Sequence, residues 1–141
     1  MDTAEQFKSF LDENEIFYSD KSSNIERNVF RIPQKLKSGS LVEVVVIFSN
    51  DSLKIVVLKI ASVVNDEKRS KILELFNEVN FTYKYFKIYL DKDNDVVFEG
   101  DLVTDLIDGD FQPDILLTYI GVALQEINEI YPKIMKILWS D

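Results

Sequence analysis

The side chains that most often carry catalysis are missing: this 141-residue chain has no histidine and no cysteine. That rules out a Ser-His-Asp triad, a Cys-His pair and the usual nitrogen and sulfur zinc ligands. No G-x-x-x-x-G-K-[ST] phosphate loop occurs, and Gly39, Gly100, Gly109 and Gly121 stand singly. Carboxylates, lysines and tyrosines remain. With 14 Asp and 11 Glu, some pair must lie close, so proximity alone carries little information. Asp91-Lys92-Asp93-Asn94-Asp95 has acids at the first, third and fifth positions of a calcium loop. The sixth position, which needs glycine, is Val96, and the twelfth, which needs a bidentate glutamate, is Leu102. A hairpin tip explains it better. The sequence predicts no catalytic residue, no cofactor and no metal site.

Charge narrows the partners. The net charge is −9, and the stretch from Asp91 to Asp114 holds nine acids and one base, so −8 of it lies there. Such a field repels phosphate backbones and anionic lipid, which argues against nucleic acid and membrane. It is either a solubilising surface or a patch for a basic partner. Tyr83, Tyr85 and Tyr89, beside Lys84 and Lys87, could stack on bases. Their strand leads straight into the acidic stretch, so a sheet face meeting another protein fits better.

These groups need elements to hold them. Helical spacing of Ala4, Phe7, Phe10 and Leu11 predicts a first helix, capped by Thr3 and running to about Asn14. A polar turn follows at Ser19 to Asn24. Strands are expected over Asn28 to Ile32, Leu41 to Ser49 and Ser52 to Ala61, the last two joined at Asn50-Asp51. The second sets Val42, Val44, Val46 and Phe48 against Leu41, Val45 and Ile47. The third sets Val56, Leu58 and Ile60 against Leu53, Ile55 and Val57. Strands apolar on both sides are expected to be covered on both, by the helices alone or with a partner subunit.

A second helix runs from Asn65 or Asp66 to about Asn80, with Ile72, Leu75, Phe76 and Val79 as its buried stripe. Strands over Tyr83 to Leu90 and Asp95 to Val103 follow. Asp110 or Phe111 leads into a last helix with Pro113 in its first turn. Pro132 should kink or restart it, leaving a short final piece. The expected order is α-β-β-β-α-β-β-α, one α+β domain over residues 1–141 with helices packed on an antiparallel sheet.

That order resembles the type III secretion chaperone-like fold, and within it the sequence resembles the YbjN family of bacterial sensory transduction regulators. The likeness rests on Ile72-Leu73-Glu74-Leu75-Phe76-Asn77-Glu78-Val79-Asn80 and Tyr85-Phe86-Lys87-Ile88-Tyr89. It continues through Asp95-Val96-Val97-Phe98-Glu99-Gly100-Asp101-Leu102 and Ile130-Tyr131-Pro132-Lys133-Ile134-Met135. It implies a non-enzymatic regulator, adaptor or chaperone-like module, often dimeric, with no catalytic residues to carry over.

The functional expectation is therefore a protein-binding module, a homodimer, not an enzyme, acting on another protein or an extended polypeptide segment. Mean hydropathy near zero, no apolar leader and no cysteine set the expected location as the bacterial cytoplasm. Two groups are the expected contacts: Tyr85, Lys87 and Tyr89 on a strand, and Asp105, Asp108 and Asp110 in the acidic stretch. The alternative is an acidic decoy or immunity-type inhibitor that masks a basic partner through residues 91–114.

Overall fold

In this computed structural model the fold is described for residues 2–21, 28–49, 52–103 and 112–140. Helix α1 (Thr3–Glu13) is capped by Asp2 and not by Thr3: the Asp2 carboxylate accepts the Glu5 N–H at 2.8 Å. Its stripe of Ala4, Phe7 and Leu11 is buried, and the Phe7 ring meets Phe30 at 5.8 Å and Phe48 at 5.7 Å.

Strands β1 (Ser19–Asp20), β2 (Asn28–Lys35), β3 (Leu41–Phe48) and β4 (Ser52–Leu58) precede helix α2 (Asp66–Thr82). Strands β5 (Lys87–Leu90) and β6 (Val96–Val103) and helix α3 (Pro113–Leu138) complete the chain. The sheet is antiparallel throughout, in the order β1-β2-β3-β4-β6-β5. The α+β class and the antiparallel sheet with helices packed on it stand as expected, with β1 added where a turn was predicted.

Several strand ends differ from expectation for local reasons. Strand β2 runs on through Pro33. Leu36 N–H bonds Ser40 and Lys21 N–H bonds the Val29 carbonyl, so odd-numbered residues of β2 direct their backbone groups toward β1. The missing N–H of Pro33 therefore faces an edge that the two residues of β1 do not reach. Strand β4 stops at Leu58 because Lys59 takes φ 63°. That reversal also sends Ile60 into the core, away from Val56 and Leu58, with which its spacing had grouped it. Strand β5 starts only at Lys87, because α2 continues to Thr82 and Tyr83 N–H still bonds the Val79 carbonyl.

Helix α3 does not restart at Pro132. It runs unbroken across it, and the fully buried Ile127, Ile130 and Ile134 hold both halves against the sheet. Burial of that stripe, about 2 kcal/mol or more per large side chain, outweighs the one lost backbone bond.

The three described helices lie on one side. A single large core joins Phe7 and Leu11, Ile72 and Phe76, and the α3 isoleucines to the Phe30, Val44, Ile55 and Phe98 side of the sheet. Gly100 belongs there for want of space: a Cβ would sit 2.8 Å from the Tyr119 hydroxyl and 2.9 Å from the Phe86 ring. The Phe86 ring stacks between Phe98 (5.1 Å) and Tyr119 (4.8 Å) above that bare backbone.

Candidate functional site

Strand alternation leaves a second sheet face, and among the described residues no helix covers it. Val45, Val56 and Val97 are its centre, with Val29, Ile47 and Leu58 packed around them. Register fixes their arrangement. Val29 lies opposite Ile47 and Val45 opposite Val56, while Leu58 and Val97 follow on from the pair Val57 and Phe98. The six therefore form an oblique stripe from β2 to β6, two side chains wide. Three strand spacings and two two-residue steps make it roughly 20 Å long. Part of it, with Lys21 and Arg31, lines a shallow open depression of about 400 Å³. Among the described residues the helices thus cover one face and not the other.

Charged clusters flank the stripe on both sides. On one, Arg31 and Lys59 both reach Glu43, the latter at 3.0 Å. On the other, Lys54 (3.3 Å) and Lys87 (3.5 Å) reach Glu99, and Lys54 also reaches Asp101 at 3.8 Å. In each cluster one glutamate lies deep among more exposed partners. The side chains of Glu43 and Glu99 are 14% and 6% exposed, against 39%, 69%, 40% and 61% for Arg31, Lys59, Lys54 and Lys87.

Burial pushes the Glu43 carboxyl up, but hydrogen bonds and charge from Arg31 and Lys59 outweigh it and leave it below the usual carboxylate range. Glu99 follows the same pattern, burial being overcome by Tyr89, Lys54 and Lys87. The partner phenol moves the other way: burial, then its hydrogen bond to Glu99, raises Tyr89 to about 12.

One sheet edge is capped, and at the other β1 covers β2 only as far as Arg31. Asn80, in the last turn of α2, accepts the Ile88 N–H (2.7 Å) and donates to the Ile88 carbonyl (3.0 Å). Its amide thus occupies the outward backbone pair of β5, where an added strand would dock. At the other edge β1 offers only two residues.

The strand residues singled out from the sequence part company. Lys87 and Tyr89 lie on the open face, with the Lys87 ammonium 5.9 Å from the Tyr89 ring centroid. Tyr85 precedes the strand, packs edge-on to Tyr119 at 6.2 Å and accepts the Tyr119 hydroxyl on its carbonyl. Asp105, Asp108 and Asp110 lie outside the described residues, as do Asn50, Asp51 and Phe111.

The carboxylates of Asp91, Asp93 and Asp95 approach within 4.8 Å at the hairpin tip. The Asp91 carboxylate accepts the N–H groups of Asp93 (2.9 Å) and Asp95 (3.0 Å), and Asn94 takes φ 62°, so the cluster is explained as turn chemistry.

What sequence reasoning missed is Arg31, Glu43, Lys54, Lys59 and Glu99 as cross-strand clusters, and Asn80 as an edge cap. The two-sided apolar pattern of β3 and β4 was the one signal that pointed here. No helix among the described residues is long and apolar enough to cross a membrane.

Comparison with known proteins agrees with this architecture. Residues 37–135 match the family model of YbjN, described as "putative bacterial sensory transduction regulator". The chain is also similar to the crystal structure of YbjN from E. coli, described as "a putative transcription regulator". The TM-score is 0.64 at 10% identity, over 90% of this chain and 87% of that one. At that identity the likeness speaks for the fold. No curated protein matches the sequence.

Proposed function

The chain belongs to the YbjN family, and from that premise we propose that it is a regulatory, non-catalytic module that binds another polypeptide through the open face of its sheet. The observation that carries this reading is the oblique aliphatic stripe left without a helix over it among the described residues. Val45, Val56 and Val97 are at most 7% exposed, with Val29, Ile47 and Leu58 half-buried around them, so the face offers a shallow aliphatic surface of the kind that meets a partner. The capped β5 edge and the two-residue β1 favour the face over edge addition. The family's description as a regulator supports the same class of role.

The acidic stretch offers a basic partner less than its count suggests. Asp91 holds a turn, while Glu99 and Asp101 face lysines. Masking of a basic partner by residues 91–114 is accordingly the weaker reading.

The test is a tagged pull-down from the native host with the wild-type chain and with Leu58→Glu, which places a charge at the rim of the stripe. One polypeptide recovered in near-stoichiometric amount by the wild type and lost with the variant supports the reading. Equal recovery by both moves the contact elsewhere, and a blank with the wild type refutes a stable partner.

A further inference from the structure

Strand β5 ends the sheet, and its own side chains do little to keep a further strand away. Its residues, Lys87 to Leu90, include no proline, and its single charge, Lys87, is already held by Glu99 at 3.5 Å. Because both backbone groups of Ile88 point away from β6, those of Leu90 do so too, while Lys87 and Tyr89 bond to Glu99 and Val97. Antiparallel pairing with a second copy about a two-fold at Ile88 would set Lys87 opposite Tyr89, and Phe86 opposite Leu90. No like charges meet in that register. The other edge differs: β1 covers β2 as far as Arg31, and Pro33 beyond it has no N–H to offer.

What occupies the β5 edge is the Asn80 carboxamide. It accepts the Ile88 N–H at 2.7 Å and donates to the Ile88 carbonyl at 3.0 Å, the same acceptor and donor that a peptide group of an added strand would bring. The turn that carries it is fixed on both sides of Asn80. Val79 is buried, and the Tyr83 hydroxyl donates to Glu129 of α3 at 2.8 Å.

We infer that Asn80 is an edge guard, which shuts β5 against a second copy of this chain that would otherwise pair there strand to strand. The side-chain amide wins that competition because it is tethered in place, whereas a second copy gives up translational and rotational freedom on arrival. The guard acts at the edge, so it stands or falls apart from the open face as a contact surface.

The experiment uses the full chain as wild type, Asn80→Ala and Asn80→Asp. Sedimentation velocity and amide hydrogen exchange are read at about 10 μM and about 1 mM. The alanine variant opens the edge. The aspartate variant keeps an acceptor for the Ile88 N–H, but pairing of two copies would bring two carboxylates together.

In the wild type, Ile88 should exchange slowly and at the same rate at both concentrations. In Asn80→Ala it should exchange fast when dilute. At the higher concentration that variant should dimerise, with Ile88 and Leu90 slowing together by about tenfold or more. Asn80→Asp should not form that dimer. Should Asn80→Ala fail to fold, Asn80→Ser takes its place with the same readouts.

Exchange at Ile88 and Leu90 that ignores concentration in the opened variant overturns the guard. Wild-type Ile88 exchange that slows with concentration overturns it as well. An aspartate variant that pairs as readily as the alanine one shifts the cause to lost stability and also overturns it.

Discussion

Replacing Lys54 and Lys87 together by methionine removes the two ammonium groups 3.3 and 3.5 Å from the Glu99 carboxylate and keeps their aliphatic stems. At such separations each attraction is about 5 kcal/mol for an effective dielectric near 20, and about 1.2 kcal/mol in bulk water. The lysines are 40% and 61% exposed, so solvent screening sets values toward the lower limit. The carboxylate itself is nearly dry, so without them its lost hydration goes uncompensated. The two effects together predict a loss of about 1–2 kcal/mol at pH 7.

Urea unfolding of the double variant, in the wild-type and Glu99→Gln backgrounds, isolates that coupling, since the Lys54–Asp101 contact is lost in both arms and cancels. The pH dependence has a definite sign. The folded Glu99 carboxyl now lies below its usual range, so its stabilisation is present above the unfolded value of about 4.3 and is lost as pH falls through the folded value. With the lysines gone, burial dominates and the carboxyl should titrate above about 4.3. Stability should then decline as pH rises through that window. Carbon-13 NMR of the Glu99 carboxyl reads this directly. A coupling below about 0.3 kcal/mol, or a carboxyl still titrating below its usual range in the variant, refutes the reasoning.

Two further changes test the edge cap and the helix packing. Asn80→Ala leaves the Ile88 N–H and carbonyl without their side-chain partner. It should cost about 1–3 kcal/mol and speed hydrogen exchange at Ile88 well beyond that at the other core amides. Glu126 has its carboxyl raised, first by burial and then by Glu129, and its Oε2 has no hydrogen-bond partner among the described residues. A raised folded value means the charged form is disfavoured. The penalty is therefore absent below the unfolded value and appears as pH rises through the folded one. Glu126→Gln should accordingly raise the melting temperature at pH 7 and give no gain below about pH 4, read by differential scanning calorimetry.

Much of the fold was legible because it is local. Period-3.6 stripes fixed Ala4, Phe7 and Leu11 in α1 and Ile72, Phe76 and Val79 in α2, while alternation fixed the two sides of β3 and most of β4. Where local signals competed with packing, they misled. Pro132 lies inside α3 because Ile127, Ile130 and Ile134 share one buried surface, and Pro33 lies inside β2 because its bare nitrogen faces an open edge.

The absence of histidine and cysteine narrowed the chemistry before any coordinate was known. The open face was not readable in the same way. The apolar pattern of β3 and β4 says that two sides are greasy, not which side three distant helices will take. Glu99 acquires Lys54 from β4 and Lys87 from β5, and Asn80 meets the edge of a strand that begins seven residues later. Those contacts depend on strand order and register, which are properties of long-range pairing, so only the tertiary structure could decide them.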